Sequence, residues 1–255
     1  MTRPIATRTL EPRVLLFDLF GTVVHFASRV PRVEIAGTPW RSTMHWLRDA
    51  AAHALPDVAF DDLLACLMAV TEEIVRARPP EYREVPSRER FRRALARLGV
   101  AERDAAAIAE QLSVAHMAHL AAQTVLPPGH IDVLQVLAER YRLALISNFD
   151  HAPTARRILA EHGVAAFFDP IVISDEFGRR KPHPAIFAAA LAVAGARPDE
   201  AWFIGDSAGD DVVGAHNAGV PVVWVNGARD PLPRDVPLPE HVIAHLGELP
   251  ALLAA

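Results

Sequence analysis

Two residue types are nearly missing from this chain. It has one cysteine, Cys66, and one lysine, Lys181. A lone cysteine excludes an internal disulfide and suits a reducing cytoplasm. Cys66 lies in LLACLMAV, an apolar helical pattern, and reads as packing. No apolar run approaches the roughly 18 residues of a membrane span, so no membrane partner is expected. The opening MTRPIATRTLEPR lacks an apolar stretch and is not read as a signal peptide. Excess positive charge is missing as well. A net charge of −5 leaves no broad basic footprint, so nucleic acid is not an expected partner. Repeats are absent, and the only compositional bias is alanine enrichment, which favours helices.

What is present is a chain of 255 residues, 51% hydrophobic, enough to bury a core in one or two domains. Residues 27–125 carry apolar positions at helical spacing over 43–54, 60–78, 87–98 and 103–122. Pro56, Pro79–Pro80, Pro86 and Gly99 separate them, so the block is expected to be all-helical. On either side the pattern differs. Short apolar runs at 14–17, 141–147, 171–174, 201–206 and 221–226 alternate with helical segments near 130–140, 153–162, 183–194 and 210–218. Such alternation indicates buried parallel strands joined by crossover helices, an α/β doubly wound sheet of Rossmann-like type. The helical block reads as an insertion, giving a core of 1–26 and 124–255 and a cap of 27–123.

In such sheets the ligand lies at the carboxyl ends of the strands. The run Val14 to Phe17 ends on Asp18; 142–146 is followed by Ser147 and Asn148. Ser174 and Asp175 follow 171–173, with Lys181 shortly beyond, and Asp206, Ser207, Asp210 and Asp211 follow 202–204 and Gly205. Singly, each has a bland reading: a turn aspartate, a helix cap, a surface lysine. Together they bring acids, amide or hydroxyl donors and an ammonium to one edge. Lysine stands out further, because 25 of 26 basic residues are arginine. A compact ammonium and a planar fork are not interchangeable at a tight site.

These residues resemble the haloacid dehalogenase superfamily, the aspartate-nucleophile hydrolases. The likeness rests on FDLFGT (17–22), LISN (145–148), GRRKPHPAIF (178–187) and GDSAGDD (205–211), in the family's order. The helical block falls where that family inserts a type I cap. The resemblance implies that Asp18 attacks an electrophile and forms a covalent aspartyl intermediate. Lys181 would neutralise Asp18 and an incoming anion. Ser147, Asn148, Thr22 and backbone amides near Gly21 would bind the transferring group, and Gly21 would let the backbone approach it. Asp18, Asp206 and the Phe20 carbonyl would hold Mg²⁺, a cation suited to oxygen-only ligands. Asp211 would stand behind them, pairing with Lys181 or with water of the metal's shell. The expected partner is a small, phosphorylated substrate. Electrostatics give a reason for the assembly: two unit charges ~4 Å apart at an effective dielectric near 20 repel by about 4 kcal/mol, which a divalent ion and a lysine remove.

Phe20 breaks the pattern. Phosphatases of this family place an acid two residues after the nucleophile, and general acid–base help is worth about 10²–10⁴-fold. Three outcomes are open: a substrate whose leaving group needs little protonation, a substitute acid such as His25, or weak activity. Dehalogenases of the family carry an aromatic residue here, since halide leaves without a proton. They work without metal, however, and Asp206 would then face the nucleophile with no task. A Mg²⁺-dependent phosphohydrolase is therefore the favoured reading, with 2-haloacid dehalogenation and a binding scaffold of little turnover as alternatives. Elsewhere, Trp40, Trp46, Tyr82, Arg76, Arg78 and Arg83 mark the helical block, its arginines read as exposed. His116 and His119, at i and i+3, find no third metal ligand, and RERFRR and GRR read as solvated faces.

Overall fold

The structure, a computed structural model, describes residues 12–27, 32–35 and 38–254. In chain order its strands and helices begin with β1 (Val14–Phe17), β2 (His25–Phe26), β3 (Arg32–Ile35) and β4 (Thr38–Arg41). Four helices follow: α1 (Arg48–Ala54), α2 (Phe60–Arg76), α3 (Ser87–Arg97) and α4 (Glu102–Ala121). Then come β5 (Thr124–Val125), α5 (His130–Ala138), β6 (Arg142–Ser147), α6 (Ala152–Glu161), β7 (Phe168–Ile173), α7 (Ser174–Phe177) and α8 (Pro184–Ala194). The chain closes with β8 (Ala201–Gly205), α9 (Val213–Asn217), β9 (Val222–Val225), β10 (His241–Ile243) and α10 (Leu249–Leu252).

Six strands form one parallel sheet in the order β10-β9-β8-β1-β6-β7. Side chains alternate between its faces with period two. Leu15, Phe17, Leu143, Leu145, Trp202 and Ile204 enter the core on one side. Val14, Leu16, Ala144, Ile146, Ala201 and Phe203 enter the core on the other. Burial on both faces is why these strands read as unbroken apolar runs. A third, separate core lies within the helical block, where Leu47, Leu63, Leu67, Phe91, Leu95 and Leu112 pack together. Among the described residues no helix is long and apolar enough to cross a membrane.

The block between β1 and α5 is not purely helical. β3 and β4 pair antiparallel, Val33 opposite Trp40. Val33 and Ile35, and then Thr38 and Trp40, place β-branched or aromatic residues at alternate positions, a strand signal that the surrounding helical periodicity masked. β2 and β5 also pair antiparallel, His25 opposite Val125 and Phe26 opposite Thr124. The chain therefore leaves the sheet and returns to it at adjacent points. The strand expected at 171–174 stops at Ile173, because Ser174 starts the short helix α7. The helix expected near 210 opens with a π-helical turn, Ala208–Val212, which carries Asp210 and Asp211.

Candidate active site

Sheet register sets the site. Phe17 is level with Leu145 on one side and Ile204 on the other. The first residue past β1, Asp18, is thus flanked by the ends of β6 and β8. Sequence order runs from β1 outwards to β6 on one side and β8 on the other, the switch point at which doubly wound sheets open a crevice. The Asp18 amide donates to Ile204 O at 2.9 Å, fixing the acid at the sheet edge. Two glycines make room for the neighbouring carboxylates. Gly21 has φ +97°, and a Cβ there would overlap the Asp206 carboxylate; a Cβ on Gly205 would overlap that of Asp211.

Lys181 enters from the loop after α7 and is 1% exposed. Its Nζ donates to Asp18 Oδ1 at 2.5 Å and Ile146 O at 3.0 Å, and pairs with Asp211 Oδ1 at 2.8 Å. Two oxygens accept from it and a third, Asp211 Oδ1, is held as an ion pair, so three oxygens surround one compact ammonium where a guanidinium would spread its charge over a plane. Asn148 clasps the lysine backbone: its Oδ1 accepts from Lys181 N at 2.8 Å and its Nδ2 donates to Lys181 O at 3.0 Å. The same Nδ2 donates to Asp210 Oδ2 at 3.1 Å. Asp211 is held by the Ser207 amide at 2.9 Å. His183, in the same motif, caps α8 by accepting from the Ala185 amide at 3.2 Å.

Burial pushes the Asp18 carboxyl up to about 7; Lys181 pulls it down and Asp211 adds repulsion. Burial also raises Asp206 well above its ordinary value, with Asp18 and Asp211 adding to it. Asp211 is raised by burial against the pull of Lys181. For Lys181, burial works against the charge, but Asp18 and Asp211 outweigh it and raise its pKa. Three carboxylates thus face one ammonium. Asp18, Asp206 and Asp211 each offer an oxygen within 4.8 Å of the others. Asp211 is already occupied by Lys181 and Ser207, whereas the Asp206 carboxylate meets only the Thr22 hydroxyl, at 3.5 Å, among the hydrogen bonds described. This oxygen-only set, with negative charge in excess, fits a hard divalent cation.

The donors are arranged unequally. Ser147 Oγ is fully buried at the end of β6 and meets no hydrogen-bond partner among the described residues. Thr22 is buried and turned towards Asp206. The Gly21 amide is spent on Val24 O at 2.8 Å, closing the turn after Asp18, while the Leu19 amide faces the Asp18 carboxylate. The Phe20 ring stacks on Phe26 (centroids 5.1 Å apart, 6° between planes) and tilts against Phe149 at 4.9 Å. Phe20 lines one small cavity with Asp18, Lys181 and Asp206. His25 lines another, of about 460 Å³, that shares Phe20, Gly21, Thr22 and Asp206, and its ring stands edge-on to His130.

Several residues of this region were not legible as such in the sequence. Arg180, read with GRR as a solvated face, is 5% exposed, and its Nη1 lies 3.1 Å from both Glu84 carboxylate oxygens. Glu84 also accepts from Ser174 Oγ at 2.5 Å. Arg90, within RERFRR, pairs with Asp150 at 3.1 Å in the cleft. Arg78 lines the same cleft, whereas Arg76 and Arg83 are exposed. Burial and the charge of Arg180 push Arg78 down to about 10. Local charge runs pointed to solvent; acids 60 to 96 residues away drew these arginines inside. His116 and His119 are not paired for a metal: the first is buried and the second exposed. Trp40 has its backbone in β4 but its side chain lies outside the described residues.

Comparison with known proteins agrees with this architecture. A family model described as haloacid dehalogenase-like hydrolase matches residues 12–219. N-acylneuraminate-9-phosphatase of Mus musculus is 35% identical over 123 residues, 48% of this chain and 49% of that protein. Phosphoserine phosphatase of Thermus thermophilus is 35% identical over 147 residues, 57% of each. The chain thus spans about half the length of the curated relatives it matches. A 2-haloacid dehalogenase from Pseudomonas syringae pv. Tomato superposes with TM-score 0.71 at 24% identity, covering 95% of this chain and 98% of that one. The hydrolase YfnB of Bacillus subtilis, bound to magnesium, gives TM-score 0.60 at 20% identity, covering 96% and 100%. At these identities the solved structures speak for the fold alone.

Proposed function

The chain belongs to the haloacid dehalogenase-like hydrolases, and from that premise we propose that it hydrolyses small phosphate monoesters with Asp18 as nucleophile. The supporting observation is Asp206, held beside Asp18 on the same sheet edge in a cluster with excess negative charge. Displacement of halide gives such a carboxylate no task. Asp18, Asp206 and the Phe20 carbonyl would hold Mg²⁺, which when bound supplies charge neutralisation and polarises the phosphoryl group. Residues 27–123 would act as a cap over a core of 1–26 and 124–255.

The chain's own groups then carry the reaction. One Asp18 oxygen attacks phosphorus, the bond to the leaving-group oxygen breaks, and an aspartyl phosphate forms. Lys181 fixes Asp18 by its other oxygen and offsets charge on the phosphoryl group. The buried Ser147 hydroxyl is a donor awaiting an acceptor, and it would take a phosphoryl oxygen. Water then attacks phosphorus, releasing inorganic phosphate and restoring the carboxylate. Phe20 offers no proton at either step, so the departing oxygen must leave as a weakly basic anion or take its proton from water. Aryl and acyl phosphates are the expected substrates. A second reading, 2-haloacid dehalogenation, is favoured by the Phe20 aromatic alone.

The test is a parallel assay of 4-nitrophenyl phosphate and 2-chloropropionate, each with Mg²⁺ and with chelator. Phosphate release that requires Mg²⁺, with negligible chloride release, supports the phosphohydrolase. Chloride release in chelator, with no phosphate release, selects the dehalogenase.

A further inference from the structure

Between the helical block and the sheet edge lies a cavity of about 420 Å³, within the range of small-molecule sites. It shares Phe20, Asn148, Arg180 and Asp206 with the small cavity that contains Asp18 and Lys181. A ligand with one end at Asp18 therefore extends into it. Part of the wall is apolar, with Phe26, Met44, Met68 and Leu120 facing the space.

The opposite wall holds an anomaly. His116, on α4, lines the cavity and is 4% exposed, yet neither ring nitrogen has a hydrogen-bond partner among the described residues. Arg90 Nε is likewise buried without a partner, while the Nη2 of the same side chain is turned to Asp150. A buried donor or acceptor left unpaired is costly, because its hydration is lost with nothing in exchange. Two such groups on one cavity wall are economically explained by a bound ligand. Burial pushes His116 down to about 3, so the ring is neutral and offers one N–H and one acceptor. Arg90, whose charge lowers the ring's pKa further, is itself paired with Asp150. Three guanidiniums, Arg78, Arg90 and Arg180, line the cavity against two carboxyls, Asp150 and Asp206, and this cationic lining favours an anionic acceptor over a neutral hydroxyl.

We propose that His116 and Arg90 read a carboxylate on the leaving group, so that the substrate is a phosphate monoester with a small apolar body bearing that carboxylate. The proposal rests on the phosphohydrolase reading above. Its distinguishing experiment compares phenyl phosphate with 3- and 4-carboxyphenyl phosphate on the wild type, His116→Phe and His116→Asn. Phenylalanine keeps the ring volume packed against Phe91; asparagine keeps a donor and an acceptor. The wild type is expected to prefer at least one carboxylated ester about tenfold in kcat/KM, chiefly through KM. His116→Phe should cut that preference fivefold or more, and His116→Asn should restore part of it. A wild-type ratio near one for both isomers, or a ratio unchanged in His116→Phe, overturns the proposal. Should no phosphate ester be turned over, the reaction assignment fails separately, and calorimetric titration with 3-hydroxybenzoate decides. Binding weakened fivefold by His116→Phe sustains the carboxylate site, and no binding to the wild type, or equal binding to both, removes it.

Discussion

Lys181 and His116 are both polar and almost fully buried, the lysine on the small cavity at the sheet edge and the histidine on the larger one that adjoins it. Their surroundings are opposite. The lysine ammonium donates to Asp18 and Ile146 and is ion-paired with Asp211, and its backbone is clasped by Asn148. The histidine ring has no hydrogen-bond partner among the described residues. The difference separates two tasks. A group that positions a nucleophile must be fixed before the ligand arrives, because electrostatic preorganisation works only if nothing has to rearrange during reaction. A group that recognises a ligand must keep its hydrogen-bond capacity open until then. A held ammonium at Lys181 and open hydrogen-bond capacity at His116, as at the phosphoryl donor Ser147, are what such a division predicts.

The contrast can be broken at either end. The largest effect is expected for Asp18→Asn, which keeps the shape but removes the nucleophile; turnover of 4-nitrophenyl phosphate should fall more than ~10³-fold. Retention of even a tenth of the wild-type rate would remove Asp18 from the centre of the account. Next comes the buried ion pair that ties residue 84 to the loop carrying Lys181. Glu84→Gln strands the Arg180 charge, and breaking such a pair costs about 3 kcal/mol. Denaturant unfolding should register that loss, and a change below about 1 kcal/mol would show the clasp to be incidental.

Phe20→Asp sharpens the comparison by supplying the proton the site lacks. The new carboxyl would sit between Phe26 and Phe149, where burial favours its protonated form. Phenyl phosphate turnover should rise about a hundredfold, at the lower end of general acid help, and 4-nitrophenyl phosphate, with its better leaving group, should gain less. Equal or lower rates on both esters in a folded variant would mean that protonation is not limiting. The smallest effect concerns His116 alone. Its folded pKa of about 3 lies below the ordinary 6.5, so only the unfolded chain takes up the proton between those values. The stability linked to neutral His116 is complete above pH 6.5 and is lost as pH falls towards 3. Between pH 7 and 4.5 that loss is on the order of 2 kcal/mol. His116→Phe should flatten the acid limb of the stability profile by that amount; an identical limb in both proteins would mean the ring already accepts a proton.

The sheet edge was legible in the sequence because its code is local. An apolar run followed by a polar residue marks a strand and its carboxyl end, and period-two burial on both faces explains why the runs at 14–17, 143–146 and 201–205 carry no polar interruption. The parallel order of those strands then brings 18, 147 and 206 side by side. The cleft was not legible. Arg90 lies between Glu89 and Arg92 in a run that resembles any solvated helix face, and only Asp150, brought in by the fold, makes it interior. Arg180 and Glu84 are 96 residues apart. His116 was visible as one of two histidines at helical spacing, but its partner on that face is a cavity, and no spacing rule encodes a cavity. The β3–β4 pair was hidden for a different reason: four-residue strands next to strong helical periodicity leave a weak signal.

The central claim is that Asp18 receives the phosphoryl group. Rapid acid quench of the wild type with 4-nitrophenyl phosphate and Mg²⁺, followed by mass spectrometry of the peptides, measures it directly. The account predicts a phosphoryl adduct on the peptide carrying Asp18, lost in chelator and in Asp18→Asn. Phosphate release that proceeds at the full rate while the adduct sits on another residue would contradict it.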